Sequence, residues 1–174
     1  MPQVADILLS LGPYRLSEVI ARSTQEIPGD AFSHAALVIA EAPLPLIIES
    51  VPPRTRVYPY DDALLHVEHA VLLQPRNLSV ETRVAIAKKA LEFEGALYGV
   101  DRFLGGMLDA WLDMDWCTQH LYLSKRFPWC SVLVAAAYDA KGLDFGEPAQ
   151  GVMPAEIFAF AKIHPHLYSI TEVV

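Results

Sequence analysis

The sequence predicts an α+β fold, and three observations carry that prediction. Short apolar runs bounded by turn residues recur through the first half, at Ile7–Leu9, Ala35–Ala40, Leu46–Ser50 and His69–Leu73. Longer stretches with helical spacing follow, from Ser79 to about Phe93, from Cys130 to about Ala140 and from Pro154 toward Ala161. A last strand-like run, Leu167–Val173, comes after those helices. Strands before and between helices, without strict alternation, are the pattern of an α+β domain rather than of a doubly wound sheet.

Each element has its local reason. Leu16–Thr24 reads as a helix between the first two strands. The connection between Ala35–Ala40 and Leu46–Ser50 is short and carries Pro43 and Pro45, which suits a hairpin. Ser79 caps the next helix, with Val84, Ala87 and Leu91 on its inner face and Arg83, Lys88, Lys89 and Glu92 on its solvated face. From Phe103 to Tyr122, Leu104, Met107, Leu108, Trp111, Leu112 and Met114 form an apolar set interrupted by Asp109, Asp113 and Asp115. That pattern fits an amphipathic helix that covers the core, with a substrate wall or lid as its functional counterpart. Pro128 suits the first turn of the cysteine helix, Gly142 its end, and Pro154 the start of the last helix.

Composition bounds the function. A chain of 174 residues is expected to form a single domain over 1–174, and 53% hydrophobic residues excludes disorder. A net charge of −8 argues against a nucleic-acid partner. No apolar run is long enough to span a bilayer free of charge or proline, so no transmembrane segment is expected. Met1–Asp6 has neither the basic start nor the apolar core of a secretory signal. Two cysteines do not make a disulfide scaffold, and a reduced thiol in the cytoplasm is the expectation. Cys117-Thr118-Gln119-His120 could join Cys130 on zinc, yet a second close ligand pair is absent; neither a metal nor another cofactor is expected. His66, His69, His164 and His166 have no comparable partners.

Three residues carry chemistry. Phe127-Pro128-Trp129-Cys130-Ser131-Val132-Leu133-Val134 places Cys130 at the mouth of an apolar helix. Unpaired N–H groups and the positive end of the helix dipole favour a thiolate there. Read alone, the segment fits a packed core cysteine slightly better. His34 opens one apolar run and Glu49 closes the next. Adjacent strands would bring imidazole and carboxylate side by side, and the carboxylate would hold the ring in one tautomer. Cysteine, histidine and glutamate are then the nucleophile, base and orienter of a thiol acyl-transfer site. Tyr14 or Tyr98 could donate to an oxyanion, with aromatic packing as the default for both.

Several segments, taken in order, resemble a known family. Ala5-Asp6-Ile7-Leu8-Leu9, Ser17-Glu18-Val19-Ile20, Ser33-His34, Ile48-Glu49-Ser50, Tyr98-Gly99-Val100-Asp101-Arg102-Phe103 and Cys130-Ser131-Val132-Leu133-Val134 follow one another as in the YiiX/YaeF-type branch of the NlpC-type superfamily. Val132 stands where that family often has glutamate, and two residues separate Tyr98 from Asp101 where it usually has them adjacent. The resemblance implies a circularly permuted papain-like fold, an antiparallel sheet or small barrel packed against helices. It implies Cys130 as nucleophile, His34 as base and Glu49 as orienter. The activity it implies is a cysteine-dependent hydrolase or acyltransferase that cleaves an amide in a peptide or peptidoglycan fragment through a thioester on Cys130. Lipid acyl transfer is the alternative within the enzyme class, since a related permuted branch, the lecithin:retinol-acyltransferase-like proteins, works on lipids. This chain lacks that branch's Asn-Cys-Glu-His motif. A non-catalytic module that binds a small ligand or peptide in the same cleft is the alternative outside it.

Overall fold

The structure is a computed structural model that describes residues 1–12, 32–98, 128–146 and 148–174. Its elements in chain order are β1 (Ile7–Leu11), β2 (His34–Ala40), β3 (Leu46–Val51), β4 (Arg54–Pro59), α1 (Tyr60–Leu64), β5 (His69–Pro75), α2 (Val80–Leu91), α3 (Cys130–Asp139), α4 (Pro154–Ile163) and β6 (Tyr168–Glu172). The expected helix at Leu16–Thr24 and the apolar segment Phe103–Tyr122 lie outside the described residues.

The strands form one antiparallel six-stranded sheet in the order β4-β3-β2-β1-β5-β6. The α+β expectation therefore holds, with the sheet rather than the barrel. The strands read as nearly unbroken apolar runs because both faces of the sheet are covered. Ile7, Leu9, Ala35, Leu37, Ile48, Val71 and Leu73 pack with α2, α3 and α4 in the main core. Their alternating neighbours Leu8, Ala36, Val38, Ile47, Ala70 and Leu72 pack with Tyr60 of α1 on the other side.

A buried carboxylate ties the first strand to α2. Asp6 is fully buried and accepts from the Gln3 backbone N–H at 2.9 Å, Gln74 Nε2 at 3.1 Å and an Arg83 nitrogen at 3.1 Å. Arg83 also donates to the Val4 and Pro75 carbonyls. Arg83 is thus not on a solvated face. The buried stripe of α2 is Ile86, Ala87 and Ala90, while Val84 and Leu91 are exposed. The stripe expected from the sequence was rotated, because a guanidinium with three acceptors inside the fold outweighs the aliphatic pattern. Ser79 does cap α2, accepting from the Thr82 N–H at 3.2 Å.

The helix of Cys130 is buried nearly all round, from Cys130 to Ala135 and at Ala137 and Tyr138. Its N-cap is Trp129, so Pro128 stands outside the helix rather than in its first turn. At the other end Gly142 takes φ +70°, which turns the chain off the helix without a side-chain clash.

Candidate active site

β3 positions the site. Successive side chains on a strand leave it in opposite directions, so Glu49 and Ser50 serve different neighbours. Glu49 stands across from Ala36 of β2 on one side and Arg56 of β4 on the other. Ser50 donates through Oγ to the Pro128 carbonyl at 2.6 Å, just ahead of the cysteine helix, and accepts from Thr55 Oγ1 at 3.1 Å. Ser131 fastens the same helix start from elsewhere, donating to the Val152 carbonyl at 2.6 Å.

Three side chains meet in a line. His34 Nε2 donates to Glu49 Oε2 at 2.9 Å. The Cys130 thiol lies close enough to the same ring for each to shift the other's proton affinity, and with Nε2 taken by Glu49 the nitrogen that remains for sulfur is Nδ1. The backbone N–H groups of Ala35 and Ser131 also favour negative charge on that sulfur. Cysteine and glutamate are both buried, whereas the histidine side chain is 24% exposed. The three residues picked out from the sequence are therefore neighbours in space.

Electrostatics follow from that contact. Burial pushes the Cys130 thiol up, but the hydrogen bond and charge of His34, with the Ala35 and Ser131 N–H groups, bring it below its ordinary value. Burial likewise works against an imidazolium, yet Cys130 and Glu49 together raise His34 to about 10. The Glu49 carboxyl is pushed up by burial and brought below its usual range by His34 and Arg56. All three directions agree on a thiolate, an imidazolium and a carboxylate.

Sequence reasoning missed several members of this environment. Arg56 donates from Nε to Glu49 Oε1 at 2.9 Å, and a second guanidinium nitrogen stands 2.8 Å from the same oxygen. The alternation Arg54-Thr55-Arg56-Val57 after Glu49 was the available signal, hidden by Pro52-Pro53. Trp129 precedes Cys130 in the chain, and its buried indole N–H has no hydrogen-bond partner among the described residues. Tyr98 is placed by the chain after α2, which returns along β4: Gly95 donates to Thr55, Thr55 to Ala96, and Tyr98 to Pro53. Its phenol is held above the ordinary range by burial and then by the charge of Cys130. Tyr14, Asp101, Cys117 and His120 lie outside the described residues. His69 is not without partners: it stacks on Phe32 at 5.4 Å between ring centres and lies 3.6 Å from Glu172.

Among the described residues no group of three or more His, Cys, Asp or Glu side chains is arranged to hold a metal ion. Among them, too, no helix is long and apolar enough to cross a membrane. No protein-family model matches the chain, and no curated protein matches it. Its fold is similar to that of a solved protein, the metalloprotein YiiX from Escherichia coli O157:H7, at 23% identity and a TM-score of 0.64, covering 84% of this chain and 70% of that one.

Proposed function

We propose that this chain is a cysteine-dependent hydrolase or acyltransferase, a cysteine peptidase or amidase of the NlpC-type papain-like class, that works through a thioester on Cys130. The observation that carries the reading is the 2.9 Å bond of His34 to Glu49, with Cys130, the first residue of a buried helix, in the electrostatic range of the same imidazole. In this reading Cys130 sulfur attacks a carbonyl carbon, and the carbonyl π electrons move to oxygen. Backbone N–H groups at the start of α3 stabilise that oxyanion. The His34 imidazolium gives its proton to the leaving amine as the carbon–nitrogen bond breaks. Neutral His34 then takes a proton from water, whose oxygen attacks the thioester and frees both acid and thiol. Glu49 keeps the ring in the tautomer and orientation both steps need.

A peptide or peptidoglycan fragment is the proposed substrate, by the family resemblance of the ordered segments. The fold neighbour is described as a metalloprotein, and the donors here fit a metal poorly. Both Glu49 oxygens are engaged, one of them by a guanidinium, which leaves only the Cys130 and His34 donors of the three.

The test is a panel of peptides, peptidoglycan fragments and lipid esters, with intact-mass detection of an acyl adduct. Wild type is expected to turn over an amide substrate and to show a thioester on Cys130. Cys130→Ser is expected to fold and bind but not turn over. Equal binding by both proteins, with no turnover or adduct across the panel, would establish a binding module instead. Adducts from lipid esters alone would establish the lipid-acyl alternative.

A further inference from the structure

The Glu49 carboxylate is gripped from two sides, and the mechanism above uses only one of them. Arg56 lies directly across from Glu49 on the neighbouring strand. Two of its nitrogens, at 2.9 Å and 2.8 Å, converge on Oε1 and leave Oε2 to His34. Both nitrogens of the planar guanidinium fork meet one oxygen, and with Oε2 on His34 the carboxylate is anchored at both ends. The fork is itself seated, with its central carbon 4.8 Å from the ring centre of Tyr58. This matters because the arginine side chain is 56% exposed, and an exposed ion pair without such support contributes little.

We propose that Arg56 is a positioning residue of the site: by holding Oε1 of Glu49 it keeps Oε2 on His34 and so sets the pH window in which Cys130 and His34 stand as thiolate and imidazolium. The inference rests on the reading of Cys130, His34 and Glu49 as one unit. The ionisable groups around Glu49 are His34 from β2, Arg56 and the Tyr58 phenol from β4, and, through His34, Cys130 from α3. Tyr98 lies beyond the thiol. Arg56 is the cation among these that touches the carboxylate from the side away from the ring. A bare positive charge at that place would act differently from a positioning fork. Removing a charge alone makes the thiolate harder to form and the imidazolium harder to lose, so both titrations move up. Removing the fork releases Glu49 from the ring, which raises the first titration and lowers the second.

The test is the rate of Cys130 alkylation by iodoacetamide against pH, read by mass spectrometry of the Cys130 peptide. The profile has a lower step, where the thiolate–imidazolium pair forms, and an upper step, where the imidazolium loses its proton. For Arg56→Gln the lower step is expected to rise and the upper to fall, each by about one pH unit, so that the window narrows from both ends. Arg56→Lys, a cation without the fork, is expected to recover only part of the window. In a Glu49→Gln background, Arg56→Gln is expected to narrow the window no further, leaving only the small upward movement of both steps that loss of its charge brings. Unmoved steps, two steps moving up together, or the same change in the Glu49→Gln background would each overturn the positioning role. A His34→Ala protein provides the separation from the parent reading. If its Cys130 profile matches wild type, the three-residue unit itself fails. If the profile collapses in His34→Ala but is unmoved in Arg56→Gln, only the role of Arg56 fails.

Discussion

Replacing Ser50 by alanine tests whether β3 holds the nucleophile's helix in place. The change removes the bond from Ser50 Oγ to the Pro128 carbonyl and takes away the acceptor of Thr55 Oγ1. Ser50 is 1% exposed and Thr55 2%, so water does not replace either partner. A lost intramolecular bond costs about 0.5–1.5 kcal/mol, and a buried group left unpaired about 1–3 kcal/mol. The Pro128 carbonyl and the Thr55 hydroxyl are both stranded, and some relaxation offsets part of the sum, so about 2–4 kcal/mol is expected. At about 2–4 °C per kcal/mol for a chain of this size, the melting temperature should fall by about 4–16 °C. Urea unfolding of Ser50→Ala gives the energy, and Cys130 alkylation at fixed pH gives the consequence for the helix start. Thr55→Val removes the stranded hydroxyl at nearly constant shape. In that background Ser50→Ala should cost about 1 kcal/mol less than in wild type. A loss below about 1 kcal/mol in the single variant, or an equal loss in both backgrounds, would refute this account of the helix anchor.

Arg83→Met should leave the Asp6 carboxylate buried without its cation and cost about 3–5 kcal/mol at neutral pH, measured by urea unfolding. The Asp6 carboxyl is already raised, chiefly by burial, so a native proton is taken up more readily than an unfolded one; the deficit should shrink as the pH is lowered toward 4. The Cys130–His34 pair gives a second pH signature. Taken singly, His34 stabilises fully below 6.5 and loses that contribution as pH rises to about 10, whereas Cys130 stabilises fully above 9.0 and loses it as pH falls through its lowered native value. The two slopes oppose each other wherever the pH lies above both 6.5 and the lowered native value of Cys130 and below 9.0, so the stability difference between wild type and a Cys130→Ala, His34→Ala variant should be flat there and shrink on both sides, as read from denaturant midpoints. His34→Ala should also slow iodoacetamide labelling of Cys130 near neutral pH, and in wild type Cys130 should label before Cys117, as resolved by peptide mass spectrometry.

The parts legible in the sequence were those fixed by local pattern. β1, β2, β3 and β5 are apolar runs, β6 alternates apolar and polar residues, and Ser79, Gly142 and Pro154 punctuate helices where the structure has them. Cys130, His34 and Glu49 were legible because each is a polar residue at the edge of an apolar run, a placement that core packing does not favour. β4 was not legible. Arg54 and Arg56 beside Pro52-Pro53 look like a turn, and only pairing to β3 makes Arg54–Pro59 a strand. α1 escaped for a similar reason, being short and without a side-chain cap. Arg83 misled because a charged residue at a core position is explained by acceptors that its own helix does not carry, Asp6 and the Val4 and Pro75 carbonyls. Ser50 and Arg56 depend in the same way on partners that sequence spacing does not announce.

The strand order β4-β3-β2-β1-β5-β6 has a consequence in time. β1 to β4 are successive neighbours in an antiparallel meander, so the chain that carries His34, Glu49 and Arg56 is paired by short-range hairpins. Cys130 lies more than a third of the chain further on and reaches His34 only when its helix docks. A ribosome delivers the N-terminal part first, at about 5–20 residues per second, and connections of low sequence separation form fastest. The carboxylate–imidazole half can therefore be in place while the sulfur is still an ordinary thiol with no imidazole beside it. Acquisition of fast alkylation during refolding marks the moment the strand of His34 and the helix of Cys130 meet, so the reactive group doubles as a clock for the docking of that helix.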